Sequence, residues 1–168
     1  MANIGLFYGS TTGDTLKAAE RIRDAFAPDS VDIFDVKDAP AGKLADYDVL
    51  ILGTSTWHWG GLQDEWALFE DNLSAGVLQG KKIAFFGLGD QQRYPDNFVD
   101  GIGLLYEKIK PSGAQIIGMW PAEGYDFKES AAEIDGKFVG LALDEDNEPE
   151  KTKQRIEQWV GRLKQELA

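Results

Sequence analysis

The chain has 168 residues, a formal net charge of −12, one His and no Cys. That length suits one well-buried domain, and the acidic balance disfavours nucleic acid and anionic membranes while favouring basic protein partners. The residue counts alone exclude disulfides, thiolate zinc sites, cysteine-ligated iron–sulfur clusters and His-based metal clusters.

In chain order, an apolar run over 4–8 reads as a buried strand. It leads through Gly9-Ser10-Thr11-Thr12-Gly13-Asp14-Thr15 into a helical pattern over 16–26, with Ala18, Ile22, Ala25 and Phe26 on one side, until Pro28 stops it. Gly9 and Gly13 let backbone approach a ligand, and the hydroxyls of Ser10, Thr11, Thr12 and Thr15 add donors to a helix start, an arrangement that suits a phosphate. No Lys or Arg lies between Met1 and Leu16, and neither GxxxxGK[ST] nor GxGxxG occurs. The loop therefore fits one phosphate monoester held by neutral donors better than a triphosphate or a dinucleotide. From this stretch alone, an ordinary Ser/Thr-rich helix cap is the first reading.

Residues 31–36 alternate apolar and acidic side chains, as a strand near a sheet edge does, while 47–53 is apolar on both faces and reads as a central strand. A second helix is expected between 64 and 73. Residues 82–87 form another buried strand, then come a polar loop to Asn97, a helix from about 98 to 109 and a fifth strand over 115–119. Strands alternating with helices predict a parallel sheet covered on both faces. Between 118 and 141 turn residues and aromatics break the repeat, and 138–143 reads as strand again, so an insertion of about 119–137 interrupts the fifth strand. The last helix carries Ile156, Trp159, Val160, Leu163 and Leu167 in one stripe. The whole of 1–168 reads as a single domain. No charged-then-apolar leader precedes the first strand and no apolar run reaches spanning length, so a cytoplasmic, soluble protein is the expectation.

Parallel sheets bind ligands beyond the carboxyl ends of their strands, where strand order reverses. Three loops leave such ends here: 9–15, 53–62 (GTSTWHWGGL) and 87–97 (GLGDQQRYPDN). The first offers phosphate donors, the second two indoles and the third Tyr94, so a flat aromatic ligand ending in a phosphate would use all three. By themselves, Trp57 and Trp59 serve equally as core or partner-facing residues, and Tyr94 beside Pro95 equally as a turn anchor.

These motifs, followed by WPAEGYDF and GKFVGLALDEDN, make the chain resemble the long-chain bacterial flavodoxins over essentially its whole length. The resemblance implies a flavodoxin-like three-layer αβα sandwich whose five-stranded parallel sheet has the order 2-1-3-4-5. It implies a low-potential one-electron carrier binding FMN without a covalent link, with no substrate chemistry of its own and no metal. Residues Ser10, Thr11, Thr12, Gly13, Asp14 and Thr15 would then hold the phosphate, with Thr56 closing its rim. Trp57 and Tyr94 would cover the two ring faces. Backbone at His58, Trp59, Gly60 and Gly61 and at Gly89 and Asp90 would meet the ring edges, with Asn97 and Asp100 near the ring or ribitol. The implied partners are transient basic redox proteins, such as a flavodoxin/ferredoxin NADP reductase, and acceptor enzymes; a monomer is expected.

Acidic groups such as Asp90 and Asp146 beside a poorly solvated ring would penalise the fully reduced anion, and the rest of the acidic set, Asp144 included, reads as a solvated face. Three positions depart from the family pattern: Asp14, where Asn or Lys is commoner, Ser55 in place of a frequent Pro, and His58-Trp59 where some relatives place Gly. Two rivals are a flavin reductase of the same fold, for which no nicotinamide or substrate feature is found, and a receiver domain, which needs an Asp where the third strand has Leu52-Gly53-Thr54.

Overall fold

The computed structural model describes residues 3–9, 13–57, 61–63, 66, 69, 73 and 75–168, with backbone alone at 41, 57, 61, 62 and 75. Apolar runs form β1 (Ile4–Tyr8), the start of β3 (Val49–Trp57) and β5 (Lys82–Leu88), an alternating run forms β2 (Val31–Asp35), and the short β4 (Gly61–Leu62) lies between β3 and β5 in the chain. Every residue of β1 is buried, whereas edge strand β2 buries only Val31. All main-sheet pairings are parallel except that of β4, which folds back on β3 through Thr56↔Leu62 and Trp57↔Gly61.

The fifth strand position is filled twice. β6 (Gln115–Ile116) pairs with the start of β5, and β10 (Leu141–Leu143) with its end, through Leu141↔Phe86 to Leu143↔Leu88. The strand order is therefore 2-1-3-4-5 in sequence terms, with the interruption that the aromatic-rich stretch predicts. The inserted chain is better ordered than an irregular loop: β7 (Trp120–Pro121), β8 (Glu133–Ile134) and β9 (Lys137–Phe138) make a small antiparallel sheet. The expected strand over 138–143 breaks at Gly140, where a Cβ would lie 2.1 Å from the Phe85 carbonyl oxygen, so the chain can pass there only as glycine.

Helix α1 (Asp14–Ala25) packs beside the C-terminal helix, α4 (Thr152–Leu167), while α2 (Ala75–Leu78) and α3 (Asp100–Ile109) complete the layers. The predicted stripe of α4 is buried at Ile156, Trp159, Val160 and Leu163, and the Trp159 indole N–H donates to the Gly118 carbonyl at 2.7 Å. Of the helix expected over 64–73, Trp66 and Phe69 are helical and buried; most of the rest lies outside the described residues.

The third strand corrects the sequence reading, which ended it at Gly53. It continues to Trp57, pairing Thr54 with Gly87 and Ser55 with Leu88. Gly53 is a packing glycine and not a turn: the Phe86 ring lies where its side chain would be, with Cζ 2.0 Å from an added Cβ. The run Thr-Ser-Thr-Trp has the β-branched and aromatic content of a strand, and this local preference prevails over the glycine signal.

Candidate functional site

Register fixes where the three loops leave the sheet. Tyr8 lies opposite Gly53, Gly53 opposite Phe86 and Ser55 opposite Leu88, so the chain leaves at Gly9, Trp57 and Gly89 from three adjacent strands at one edge. Strands in a sheet are about 4.8 Å apart, which brings these exits within reach of one small molecule.

The first two loops are fastened together beneath that edge. Gly9 N–H donates to the Gly53 carbonyl at 3.1 Å, and the same oxygen accepts from the Trp66 indole at 2.6 Å. A Cβ on Gly9 would meet Gln63 Oε1 at 2.3 Å, so close packing demands glycine. Gly13 starts α1 with φ 93°, in the left-handed region where glycine is unstrained, and being glycine it brings no side chain of its own to cap the helix. The first N–H groups of an α-helix have no partner within it, which makes this start a receptor for an anionic group. Thr15 is buried behind it and Asp14 half-buried in the first turn. Ser10, Thr11, Thr12, His58, Trp59 and Gly60 lie outside the described residues, and Trp57 and Gly61 are placed by their backbone.

Thr56, now on β3, points its hydroxyl to the opening turn of α3, where Oγ1 accepts from Gly101 N–H at 2.9 Å. Asn97 Nδ2 donates to Asp100 Oδ2 at 3.1 Å, while Asp100 Oδ1 accepts from Ala131 N–H at 2.6 Å, so both oxygens of this buried carboxylate fasten loop to insertion. Tyr94 is half-buried, its ring centroid 5.8 Å from the Arg93 guanidinium carbon, and its N–H donates to the Asp90 carbonyl at 2.9 Å. The structure thus places Gly13, Asp14 and Thr15 at the start of α1, Thr56 near the end of β3, and Gly89, Asp90, Tyr94 and Asn97 after β5, at the carboxyl ends of adjacent strands.

Behind the third loop lies a polar network that composition conceals. Asp144 is fully buried, contrary to its reading as a solvated residue. Its Oδ2 accepts from Gln91 N–H at 3.1 Å, Gln91 Nε2 at 2.8 Å and Asn147 Nδ2 at 2.8 Å, and its Oδ1 from the N–H groups of Asp146 and Asn147. Five donors compensate the desolvated charge. Bonds from the next two backbone N–H groups but one are the Asx-turn pattern, so the DEDNE run held a signal that counting charges missed. Asn147 Nδ2 also reaches Asp90 Oδ1 at 2.7 Å. Burial would raise the Asp90 carboxyl, but hydrogen bonds from Arg93 N–H, Asn147 and Gln92 N–H, with the Arg93 charge, hold it below the usual carboxylate range. Asp146 is pushed up, by burial first and then by Asp90, Asp144 and Asp14, so carboxylates from all these segments share one edge.

Glu148 closes the network, accepting from Gln91 Nε2 at 2.7 Å and Arg155 Nη2 at 3.0 Å and pairing with Lys151. Burial opposes its ionised form, yet the bonds from Lys151, Gln91 and Arg155 prevail and bring it down to about 2 from an ordinary 4.5. A carboxylate lowered in the folded state stabilises above its unfolded pKa, and that stabilisation disappears as pH falls from about 4.5 towards 2. At 1.36 kcal/mol per unit the loss is on the order of 3 kcal/mol. Urea unfolding at pH 6 and pH 3 should show the larger part of that loss, about 2 kcal/mol, in the wild type and a shallower change in Glu148→Gln; equal pH dependence would contradict this role.

A helix starting at a left-handed glycine, three adjoining loop exits and an acidic rim on a 2-1-3-4-5 sheet define an α/β protein of the doubly wound class, with its ligand edge at the strand ends. The family model described as Flavodoxin matches residues 6–159. Flavodoxin from Synechococcus elongatus is 52% identical over 168 residues, 99% of each chain, and Flavodoxin 2 from Escherichia coli K12 is 44% identical, covering 99% of this chain and 97% of that one. Among solved structures, Fusobacterium nucleatum flavodoxin bound to flavin mononucleotide superposes with TM-score 0.93 at 32% identity, covering 99% of both chains. The chain belongs to the flavodoxin family of electron-transfer proteins.

Proposed function

We propose that the protein carries electrons on one non-covalently bound FMN seated at the carboxyl edge of β1, β3 and β5, receiving them from a reductase and passing them to acceptor redox enzymes. The observation that carries this reading is the convergence of three loop exits on adjacent strands, in a fold that superposes on an FMN-bound flavodoxin. The residues present fit the group. The α1 start supplies neutral donors for one phosphate, with Ser10, Thr11, Thr12, Gly13, Asp14 and Thr15 around it and Thr56 at the rim. Trp57 and Tyr94 cover the ring faces, and backbone from His58 to Gly61 and at Gly89 and Asp90, with Asn97, borders the ring.

When bound, FMN supplies the electron chemistry, and the chain supplies binding and electrostatics. Its part is played by charge. Asp14, Asp90 and Asp146 put carboxylates at the edge, and Asp146 is raised by burial first and then by the charges of Asp90, Asp144 and Asp14. In a poorly solvated setting they disfavour added negative charge, which keeps the potential of bound flavin low. Asp14 is the residue least suited to a bound phosphate, and it tempers affinity.

The same acidic rim, on a chain of net charge −12, suits transient docking of basic redox proteins such as a flavodoxin/ferredoxin NADP reductase. No helix among the described residues is long and apolar enough to cross a membrane. The working form we propose is a cytoplasmic monomer. Electron transfer from such a reductase should slow steeply between low and high salt; a flat profile would reject electrostatic docking. Titrating flavin-free protein into FMN should quench flavin fluorescence with a one-to-one end point, and absence of binding would overturn the cofactor assignment.

A further inference from the structure

The turn after the fifth strand holds groups that the proposed cofactor contacts do not use. Asp144 sits at its start, fully buried, and Asn147 stands three residues on, its Nδ2 shared between Asp144 Oδ2 at 2.8 Å and Asp90 Oδ1 at 2.7 Å. Asp90 belongs to a different segment, 57 positions earlier, at the mouth of the loop that carries Tyr94. Three donors reach the Asp90 carboxylate: Gln92 N–H at 3.1 Å, Arg93 N–H at 2.8 Å and Asn147 Nδ2. All three meet Oδ1. The two backbone donors belong to Asp90's own turn, so among the described residues Asn147 is the one donor that reaches this carboxylate from another segment.

Asn147 is itself held on both sides. Its backbone N–H donates to Asp144 Oδ1 at 2.9 Å, and Asp144 receives Gln91 through both backbone and side chain. Gln91 Oε1 in turn accepts from Asp126 N–H of the insertion. A buried carboxylate with five donors is rigid, because any rotation leaves charge unpaired in a desolvated site.

We propose that Asn147, fixed by Asp144, is a positioning residue that sets the redox potential by holding the Asp90 carboxylate beside the ring. This rests on FMN occupying the carboxyl edge as described above. It adds that a residue outside the contact loops governs the charge felt there. Gln91 keeps the turn backbone in place, but without the Asn147 amide the Asp90 side chain rotates towards water, and its repulsion of added negative charge weakens.

The test is a redox titration of FMN-loaded protein with Asn147→Ala, Asp90→Asn and the double variant. Asn147→Ala should make the more difficult one-electron reduction easier by about tenfold in equilibrium constant, 59 mV for one electron. It should do so with an unchanged one-to-one FMN end point. In the Asp90→Asn background the same change should add nothing, because the group through which it acts is gone. An unshifted potential in Asn147→Ala, or equal shifts in both backgrounds, would overturn the proposal. Asn147→Ser, which can still donate to Asp90, should recover part of the wild-type value and serves if the Ala variant folds poorly. Failure of the wild type to bind FMN would instead strike the cofactor reading.

Discussion

Replacing Tyr94 by Ala should weaken FMN binding ten- to hundredfold, with little change in the stability of the flavin-free protein. A flat heteroaromatic ring stacked on an aromatic side chain gains about 1–3 kcal/mol, and each 1.4 kcal/mol is tenfold in Kd. The small effect on stability follows from the side chain's setting: Tyr94 is half-buried and lies outside the hydrophobic cluster that forms the core. The loop keeps its course without the ring, since the Tyr94 N–H to Asp90 carbonyl bond, the Asn97 N–H to Tyr94 carbonyl bond and the paired bonds from Lys128 and Glu129 N–H to the Pro95 carbonyl are all backbone. Tyr94→Phe retains the stacking face and should bind within a few-fold of wild type. Fluorescence titration reads both. A Kd unchanged in the Ala variant would remove Tyr94 from the site.

The largest effect on folding is expected at Gly140. An added Cβ there would lie 2.1 Å from the Phe85 carbonyl oxygen and 2.6 Å from its carbon, atoms of the central strand β5 that cannot turn aside as a side chain does. Ala at this position must push β10 off β5 where Leu141 pairs with Phe86. The cost should be about 3 kcal/mol, at the upper end for overpacking, because backbone and not a rotamer has to yield. For a domain of this size that lowers Tm by roughly 6–12 °C. Gly161 is the control: it lies within α4 with no atom within 4 Å of an added Cβ, so Gly161→Ala should raise stability by about 0.5–1 kcal/mol. A loss below about 1 kcal/mol at Gly140 would mean that the fifth strand is not seated as described.

The elements legible in the sequence are those whose side chains alone determine them. The uninterrupted apolar runs of β1 and β5 and the stripe of α4 gave both type and place, and the aromatic-rich stretch before Gly140 correctly split the fifth strand. The errors arose where tertiary contact reassigns a local signal. The sequence reading ends a strand at Gly53 and runs one through Gly140, yet Gly53 lies mid-strand under the Phe86 ring and Gly140 marks a break against the Phe85 backbone. Asp144 looks like its acidic neighbours, and only the donors gathered from Gln91 and Asn147 make it a buried hub. For the site, the chemistry of the three loops was visible in their composition, and the family resemblance supplied the roles. What no local pattern could reveal was the support behind them, because Gln91, Asp126, Asp144 and Asn147 meet only once the insertion and the last strand have folded against the loop.

The most direct measurement is anaerobic stepwise reduction of the purified, FMN-loaded protein, followed by visible absorption and electron count. Two separated one-electron steps are expected, the second at low potential, with no oxidation of NAD(P)H by the protein alone. A single two-electron step with steady NAD(P)H turnover, or a protein that takes up no FMN, would contradict the account.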